Sequence, residues 1–266
     1  MKKQYRIIAA SMVVMLGVFS TSLKAATVDL QLSLLVDVSG SVSSSEYDLQ
    51  MDGYGAAFKD SAVIDAILGN NGVGSIAINL VQWSSSSSQA EVIGWTQIDS
   101  AASSMAFGSL LENAGRAFRG GTSPQPALQY GTDLFATNGF TSNRSVIDVS
   151  GDGTGSGGTA GRDYALANQI DTINGLVIGG SQSVADYYTN NIIGGAGSFL
   201  IAAATFSDFS GAVKTKLLRE IGTPGPTGPT TPSAVPLPAA VWLFISGLIG
   251  FLPLARKQGN SKLVAA

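Results

Sequence analysis

The chain of 266 residues has no cysteine and no histidine. Without cysteine there is no disulfide, no thiolate zinc site and no thiol nucleophile, and the chain is indifferent to redox compartment. Without histidine the commonest general base is missing, and with it the Ser-His-Asp and Cys-His arrangements and most transition-metal sites. Any metal bound here must be a hard ion held by oxygen. Charge is scarce as well: 12% of the residues are charged, about half the usual share. With 45% hydrophobic residues the chain can still bury a core and is not of disordered composition. The formal net charge of −3 conceals an uneven layout. Between Thr27 and Ile221 there are 8 basic residues against all 18 acidic ones, a net of −10. That sign excludes a nucleic-acid-binding module, which needs a basic face.

The remaining basic residues sit at the two ends. Lys2, Lys3 and Arg6 precede an apolar stretch from Ile7 to Phe19, followed by small residues and Ala25-Ala26. This reads as a secretory signal peptide over residues 1–26, because the apolar segment is too short for a comfortable membrane span. At the other end a Pro, Gly and Thr-rich linker occupies residues 222–234, a composition that favours a semi-rigid extended chain. Val235-Pro236-Leu237-Pro238-Ala239 then opens an apolar run to Leu254, closed by Arg256-Lys257. A run of about twenty apolar residues spans a bilayer as a helix, with Trp242 at the interface and the basic end cytoplasmic. Residues 235–257 also resemble the PEP-CTERM class of bacterial sorting signals in its VPLPA variant. That resemblance implies export across the inner membrane, transient anchoring by the C-terminal helix, cleavage by an exosortase, and delivery to the cell envelope or extracellular matrix. A permanent tail anchor places the same domain on the same side.

Between the ends, residues 27–221 read as one α/β domain. Leu30 to Val36 is a near-continuous apolar run, the pattern of a parallel strand buried on both faces. Ser43 to Glu46 starts a helix whose Tyr47, Met51, Tyr54 and Phe58 recur at helical spacing. Ser75 to Trp83 and Ala90 to Trp95 form a hairpin across the serine run Ser84 to Ser88, read as a solvated turn, with Trp83 and Trp95 as core. Helices follow at Ser100 to Asn113, Pro126 to Ala136, Tyr164 to Ile170 and Val184 to Ile193, with strands at Arg144 to Ser150, Leu176 to Ile178 and Phe199 to Phe206. A last helix carries Phe209, Val213, Leu217 and Ile221 on one face and Lys214, Lys216 and Arg219 toward its negative end. Alternating strands and helices predict a doubly wound, mostly parallel sheet with one antiparallel edge strand.

The chemistry concentrates where buried strands end. Asp37-Val38-Ser39-Gly40-Ser41 offers one carboxylate and two hydroxyls on a single loop, and Gly40 lets both serines face one point. Gly120-Gly121-Thr122-Ser123 presents another hydroxyl before a helix, and Ser150-Gly151-Asp152-Gly153 a second carboxylate after a later strand. In an open α/β sheet these loops gather over the C-terminal strand ends.

This order of motifs, over residues 29 to 221, closely resembles the metal-ion-dependent adhesion site of von Willebrand factor A domains, and within them a group of secreted bacterial proteins with a domain of unknown function. The resemblance implies a Mg²⁺ site, with Mn²⁺ or Ca²⁺ as alternatives, at Asp37, Ser39, Ser41, Thr122 and Asp152. It also implies a binding module rather than an enzyme, with a partner protein or matrix component supplying a carboxylate. One departure stands out: the later carboxylate usually follows a Thr, and here Gly151 precedes Asp152, so Asp148 competes for the role. A second reading is a Mg²⁺-dependent phosphoryl hydrolase with Asp37 as nucleophile. Against it, haloacid-dehalogenase-type enzymes want a second carboxylate where Ser39 stands. A third is a structural matrix protein with a stabilising metal. The glycine-saturated run Gly153 to Gly158 lacks the lysine of a phosphate-binding loop and reads as a mobile loop beside the site. Arg116, Arg119 and Arg162 read as offsets to nearby acids.

Overall fold

The computed structural model describes residues 25–69 and 72–222. A short strand β1 (Ala26–Val28) leads into β2 (Leu30–Asp37), which is buried at every position. Then come α1 (Ser44–Lys59), α2 (Ser61–Leu68), β3 (Ile76–Trp83), β4 (Gln89–Ile98), α3 (Ala101–Glu112) and α4 (Pro124–Asp133). The second half holds β5 (Phe140–Ser142), β6 (Ser145–Gly151), α5 (Ala160–Ala167), β7 (Thr172–Ile178), α6 (Gln182–Tyr187), β8 (Gly194–Gly195), β9 (Leu200–Ala203) and α7 (Phe209–Gly222). The main sheet runs β4-β3-β2-β6-β7, with β9 continuing it in parallel beside β7 and the two-residue β8 antiparallel at the start of β7. All pairings among β2, β3, β6 and β7 are parallel, and β4 is the antiparallel edge. The expected mostly parallel α/β sheet is therefore present, with β8 as a second antiparallel element.

Helices cover both faces because each inner strand alternates its side chains between two cores. On one face Leu30, Leu32, Leu34, Ile78 and Leu80 pack with Met51, Phe58, Phe107, Val213 and Leu217 from α1, α3 and α7. On the other, Leu35, Val81, Ile147 and Val149 pack with Leu128, Ala165, Val184 and Tyr188. Trp83 is fully buried there, as expected, and Trp95 stacks edge-on against Phe135 at 4.9 Å. Close approach of α5 to α4 depends on one glycine. A Cβ on Gly161 would fall against the Gln125 carbonyl, and Gly161 N donates to Gln125 Oε1 at 2.6 Å. Gly161→Ala is expected to destabilise the domain by about 1–3 kcal/mol, read as a lower denaturant midpoint with unchanged slope.

Several boundaries differ from the sequence reading. The helix expected from Tyr164 begins at Ala160 and ends before Gln169, whose φ of 68° is left-handed. The helix expected through Ile193 widens into a π-turn at Tyr188–Ile192. The strand expected to Phe206 stops at Ala203, and β7 starts four residues earlier than expected. The additions are α2, capped by the Asp60 side chain on Ala62 N, and the β1–β5 ladder, whose three-residue strands are too short for a period to register. Of the expected signal peptide (residues 1–26) residues 1–24 lie outside the described residues, as do residues 223–234 of the expected linker (222–234) and all of the expected sorting segment 235–257. Among those described, no helix is long and apolar enough to cross a membrane.

Candidate metal centre

The loop after β2 is shaped by its own hydrogen bonds and by two neighbouring loops. Asp37 accepts from the backbone N–H of Ser39 through Oδ1 at 2.7 Å, which folds the chain back so that Ser39 and Ser41 place their hydroxyls 3.1 Å apart. α1 follows immediately, with Ser43 and Glu46 forming a reciprocal capping box. Gly40 is required here for closeness rather than for a left-handed turn. Its N–H donates to Gly120 O at 2.7 Å, and a Cβ on it would sit 3.1 Å from that same oxygen.

Thr122 and Asp152 arrive from the other two loops. Thr122 Oγ1 donates to Ser39 Oγ at 3.1 Å, and Ser41 Oγ donates to Asp152 Oδ1 at 2.7 Å. The structure thus brings Asp37, Ser39, Ser41, Thr122 and Asp152 together over the C-terminal strand ends. Asp148 is elsewhere: it points to the opposite face of β6, fully buried and ion-paired with Lys216 Nζ at 2.5 Å. Of the two competing carboxylates, Asp152 reaches the hydroxyls.

Two features that the sequence reading treated as bland hold this geometry. Ser84 is buried rather than solvated, its carbonyl accepts from Ser123 N at 2.8 Å, and Ser85 Oγ accepts from Gly121 N at 2.9 Å. The serine run is the dock of the Thr122 loop, and five identical residues give no sign of which turns inward. Arg116 feels the charge of Asp37, as expected of an offset to a nearby acid, but its hydrogen bonds go to backbone carbonyls. Its guanidinium donates to Val38 O at 2.8 Å, Ser39 O at 2.6 Å and Phe118 O at 3.0 Å, and lies over the Tyr47 ring at 5.7 Å. Gln82 steadies the same loop by accepting from Ala117 N and donating to Gly115 O and the Tyr47 hydroxyl. Arg119 donates to Ser44 Oγ at 2.7 Å on the exposed rim. Arg162 does pair with an acid, Asp163, but it also donates to Asn190 O at 2.8 Å.

Among the described residues no group of three or more His, Cys, Asp or Glu side chains is placed to hold a metal, so the centre rests on two carboxylates and three hydroxyls. Asp37 is fully buried and its Oδ2 has no hydrogen-bond partner. Burial, against the opposing hydrogen bonds from Ser39 and helped by the charge of Asp152, pushes its carboxyl up to about 7. A wholly buried carboxylate oxygen with no donor is what a neighbouring cation would satisfy. All-oxygen, mostly neutral donors suit a hard divalent ion. The residues present fit one.

The family described as "Protein of unknown function (DUF1194)" matches residues 27–225. The chain belongs to this family. No curated protein matches the sequence. Among solved structures, the DUF1194 domain is similar to proximal thread matrix protein 1 from the mussel byssus, at a TM-score of 0.53 and 14% identity over 74% of this chain and 48% of that one. One form of that matrix protein has a zinc-occupied metal-ion-dependent adhesion site motif. It is also similar to a von Willebrand factor type A protein from Catenulispora acidiphila, at 0.51 and 13% over 74% and 43%. The pilus adhesin SpaC from Lactobacillus rhamnosus GG matches at 0.52 and 14% over 73% and 31%. The chain spans less than half the length of each of these three. At such identities the likeness is one of fold, and the DUF1194 domain has the von Willebrand A fold.

Proposed function

We propose that the domain is a secreted, metal-dependent binding module, not an enzyme. The observation that carries this reading is the convergence of Ser39, Ser41, Thr122 and Asp152 beside a buried, unpartnered Asp37 Oδ2. Asp37, Ser39, Ser41, Thr122 and Asp152 would hold a divalent ion, Mg²⁺ in this reading with Mn²⁺ or Ca²⁺ as alternatives, the all-oxygen donors suiting these hard ions better than Zn²⁺. Bound there with few charged donors, the ion supplies an electrophilic centre that a carboxylate from a partner protein or matrix component can complete. The protein's own part is to pre-form the cradle: Arg116 fixes the Asp37–Ser41 loop, Ser84 and Ser85 fix the Thr122 loop, and β6 delivers Asp152. The adhesin and the matrix protein of similar fold fit such a role. The hydrolase reading is weakened by Asp37 itself, which is fully buried with one oxygen committed to Ser39 N, a poor position for in-line attack on phosphorus.

Calorimetric titration of the full-length chain with Mg²⁺ is expected to give saturable one-site binding, with Mn²⁺, Ca²⁺ and Zn²⁺ as comparison ions. Retention of the chain on immobilised poly-glutamate is expected to need the ion and to vanish in excess chelator. Retention that persists in chelator would defeat the metal-gated reading, and absence of any ion binding would leave the centre vestigial. The C-terminal residues 235–257 we read as the exosortase-directed signal. The mass of the protein recovered from the producing cell's exterior is expected to lack them, whereas a permanent anchor leaves them in place.

A further inference from the structure

Tyr188 is a residue that the metal reading does not use, and the fold goes to some length to place it. It opens the π-turn Tyr188–Ile192 at the end of α6, and such widened turns are rare and concentrate at functional sites. The turn is tied down from α4 and α5: Gln125 Nε2 donates to Asn191 O at 3.2 Å, and Arg162 donates to Asn190 O. From there the Tyr188 side chain lies across two strand glycines on the same sheet face. A Cβ on Gly175 in β7 would collide with Leu200 Cδ1 and lie 3.1 Å from Tyr188 Cδ1, so that glycine makes room for Leu200 and the ring together. A Cβ on Gly151 at the end of β6 would collide with the Tyr188 hydroxyl and would stand 2.9 Å from Asp37 Oδ2. Gly151 therefore makes room for the hydroxyl, and for Asp37 beside it.

Both oxygens that meet over Gly151 are orphans. Tyr188 Oη and Asp37 Oδ2 are each buried without a hydrogen-bond partner, and Tyr188 is fully buried. Apolar packing alone would be served by phenylalanine, and an unmade hydrogen bond on a buried hydroxyl costs about 1–3 kcal/mol. We propose that Tyr188 is a positioning residue of the metal centre, its hydroxyl donating to a single water that in turn donates to Asp37 Oδ2, and so fixing the orientation of that carboxylate toward the ion. The inference rests on the metal-dependent reading above. It also accounts for the departure at position 151: a side chain there, threonine included, cannot share the space with the Tyr188 hydroxyl. Tyrosine is protonated at neutral pH, so it is a donor to that water.

The test compares the full-length chain with Tyr188→Phe, which deletes one oxygen and keeps the ring. Partners of a metal-ligating group typically govern 10–100-fold in metal affinity. Mg²⁺ affinity by calorimetry is expected to fall at least about tenfold in Tyr188→Phe, while the metal-free thermal midpoint holds or rises because a buried orphan is removed. Saturation of the parent with Mg²⁺ is expected to give a tyrosine difference band near the ultraviolet edge that Tyr188→Phe lacks. A variant that binds Mg²⁺ within twofold of the parent overturns the proposal, as does a parent that binds the ion with no tyrosine signal. A parent that binds no ion at all overturns the metal reading together with it, so the two failures are told apart by the parent alone.

Discussion

Asp37→Asn is expected to abolish saturable Mg²⁺ binding and, at the same time, to leave the metal-free protein as stable as the parent or more so. The two effects come from one feature. Asp37 is fully buried, accepts from the Ser39 backbone N–H on Oδ1, and has no donor on Oδ2. Burying an ionised carboxylate without a partner costs several kcal/mol unless a cation or donors compensate it. Asparagine keeps the shape and the Ser39 contact and removes the charge. In thermal melts without metal the variant should therefore match or exceed the parent. With saturating Mg²⁺ the order reverses, because only the parent gains from ligand binding, by about 2.7 kcal/mol at a hundredfold excess over the dissociation constant. Crossing of the two orders is the diagnostic result. If Asp37→Asn melted well below the parent in both conditions, Asp37 would be a structural strand-end residue and no ion site would follow from it.

How much of this could be read in advance depends on whether a residue's role is carried by local pattern or by distant packing. The strand β2 and the Asp37–Ser41 loop were legible because burial on both faces demands a continuous apolar run, and the ligand spacing is local. The same holds for Thr122 and Asp152, each on a glycine-rich loop after or before a regular element. Between Asp148 and Asp152 the sequence left a choice, since strand parity alone does not say where the strand ends relative to the other loops. Register decides it: Asp148 pairs opposite Leu34 and Asn174 in mid-sheet and faces α7. Arg116, Ser84, Gln82 and Tyr188 were illegible as site residues for a shared reason. Each acts through contacts with residues some 30 to 150 positions away, on backbone carbonyls and loop amides that leave no periodic trace. Tyr188 is the extreme case, because a π-turn has no sequence period and the helix pattern runs through it.

Lys216 was misread for the opposite reason, and its correction yields the largest stability effect expected of this protein. Basic residues near the end of α7 fit a favourable helix dipole, and Lys214 does reach the surface, pairing with Asp60 at 2.6 Å. Lys216 instead lies on the buried face between Val213 and Leu217 with no solvent exposure. Its ammonium stands 2.5 Å from both Asp148 Oδ1 of β6 and Glu220 Oε1 of its own helix. Asn174 Nδ2 donates to Glu220 Oε1 at 2.9 Å, and Arg144 donates to the Glu220 carbonyl. Lys216→Met keeps the aliphatic packing and leaves two carboxylates facing each other in the core. It is expected to cost about 3–5 kcal/mol, read in denaturant melts. The triple change Lys216→Met, Asp148→Asn, Glu220→Gln should recover most of that loss, since no charge then remains to be compensated. pH dependence gives an independent check. Burial raises both acids, Glu220 to about 7 from 4.5. The folded state thus holds protons that the unfolded state has already released across that window, so stability is greatest below it and falls as pH rises toward 7. In saturating Mg²⁺, where Asp37 is engaged, Glu220→Gln should flatten the decline between pH 5 and pH 8. A single mutant Lys216→Met as stable as the parent would mean that the three charges contribute nothing net, and that α7 is held by Phe209, Val213, Leu217 and Ile221 alone.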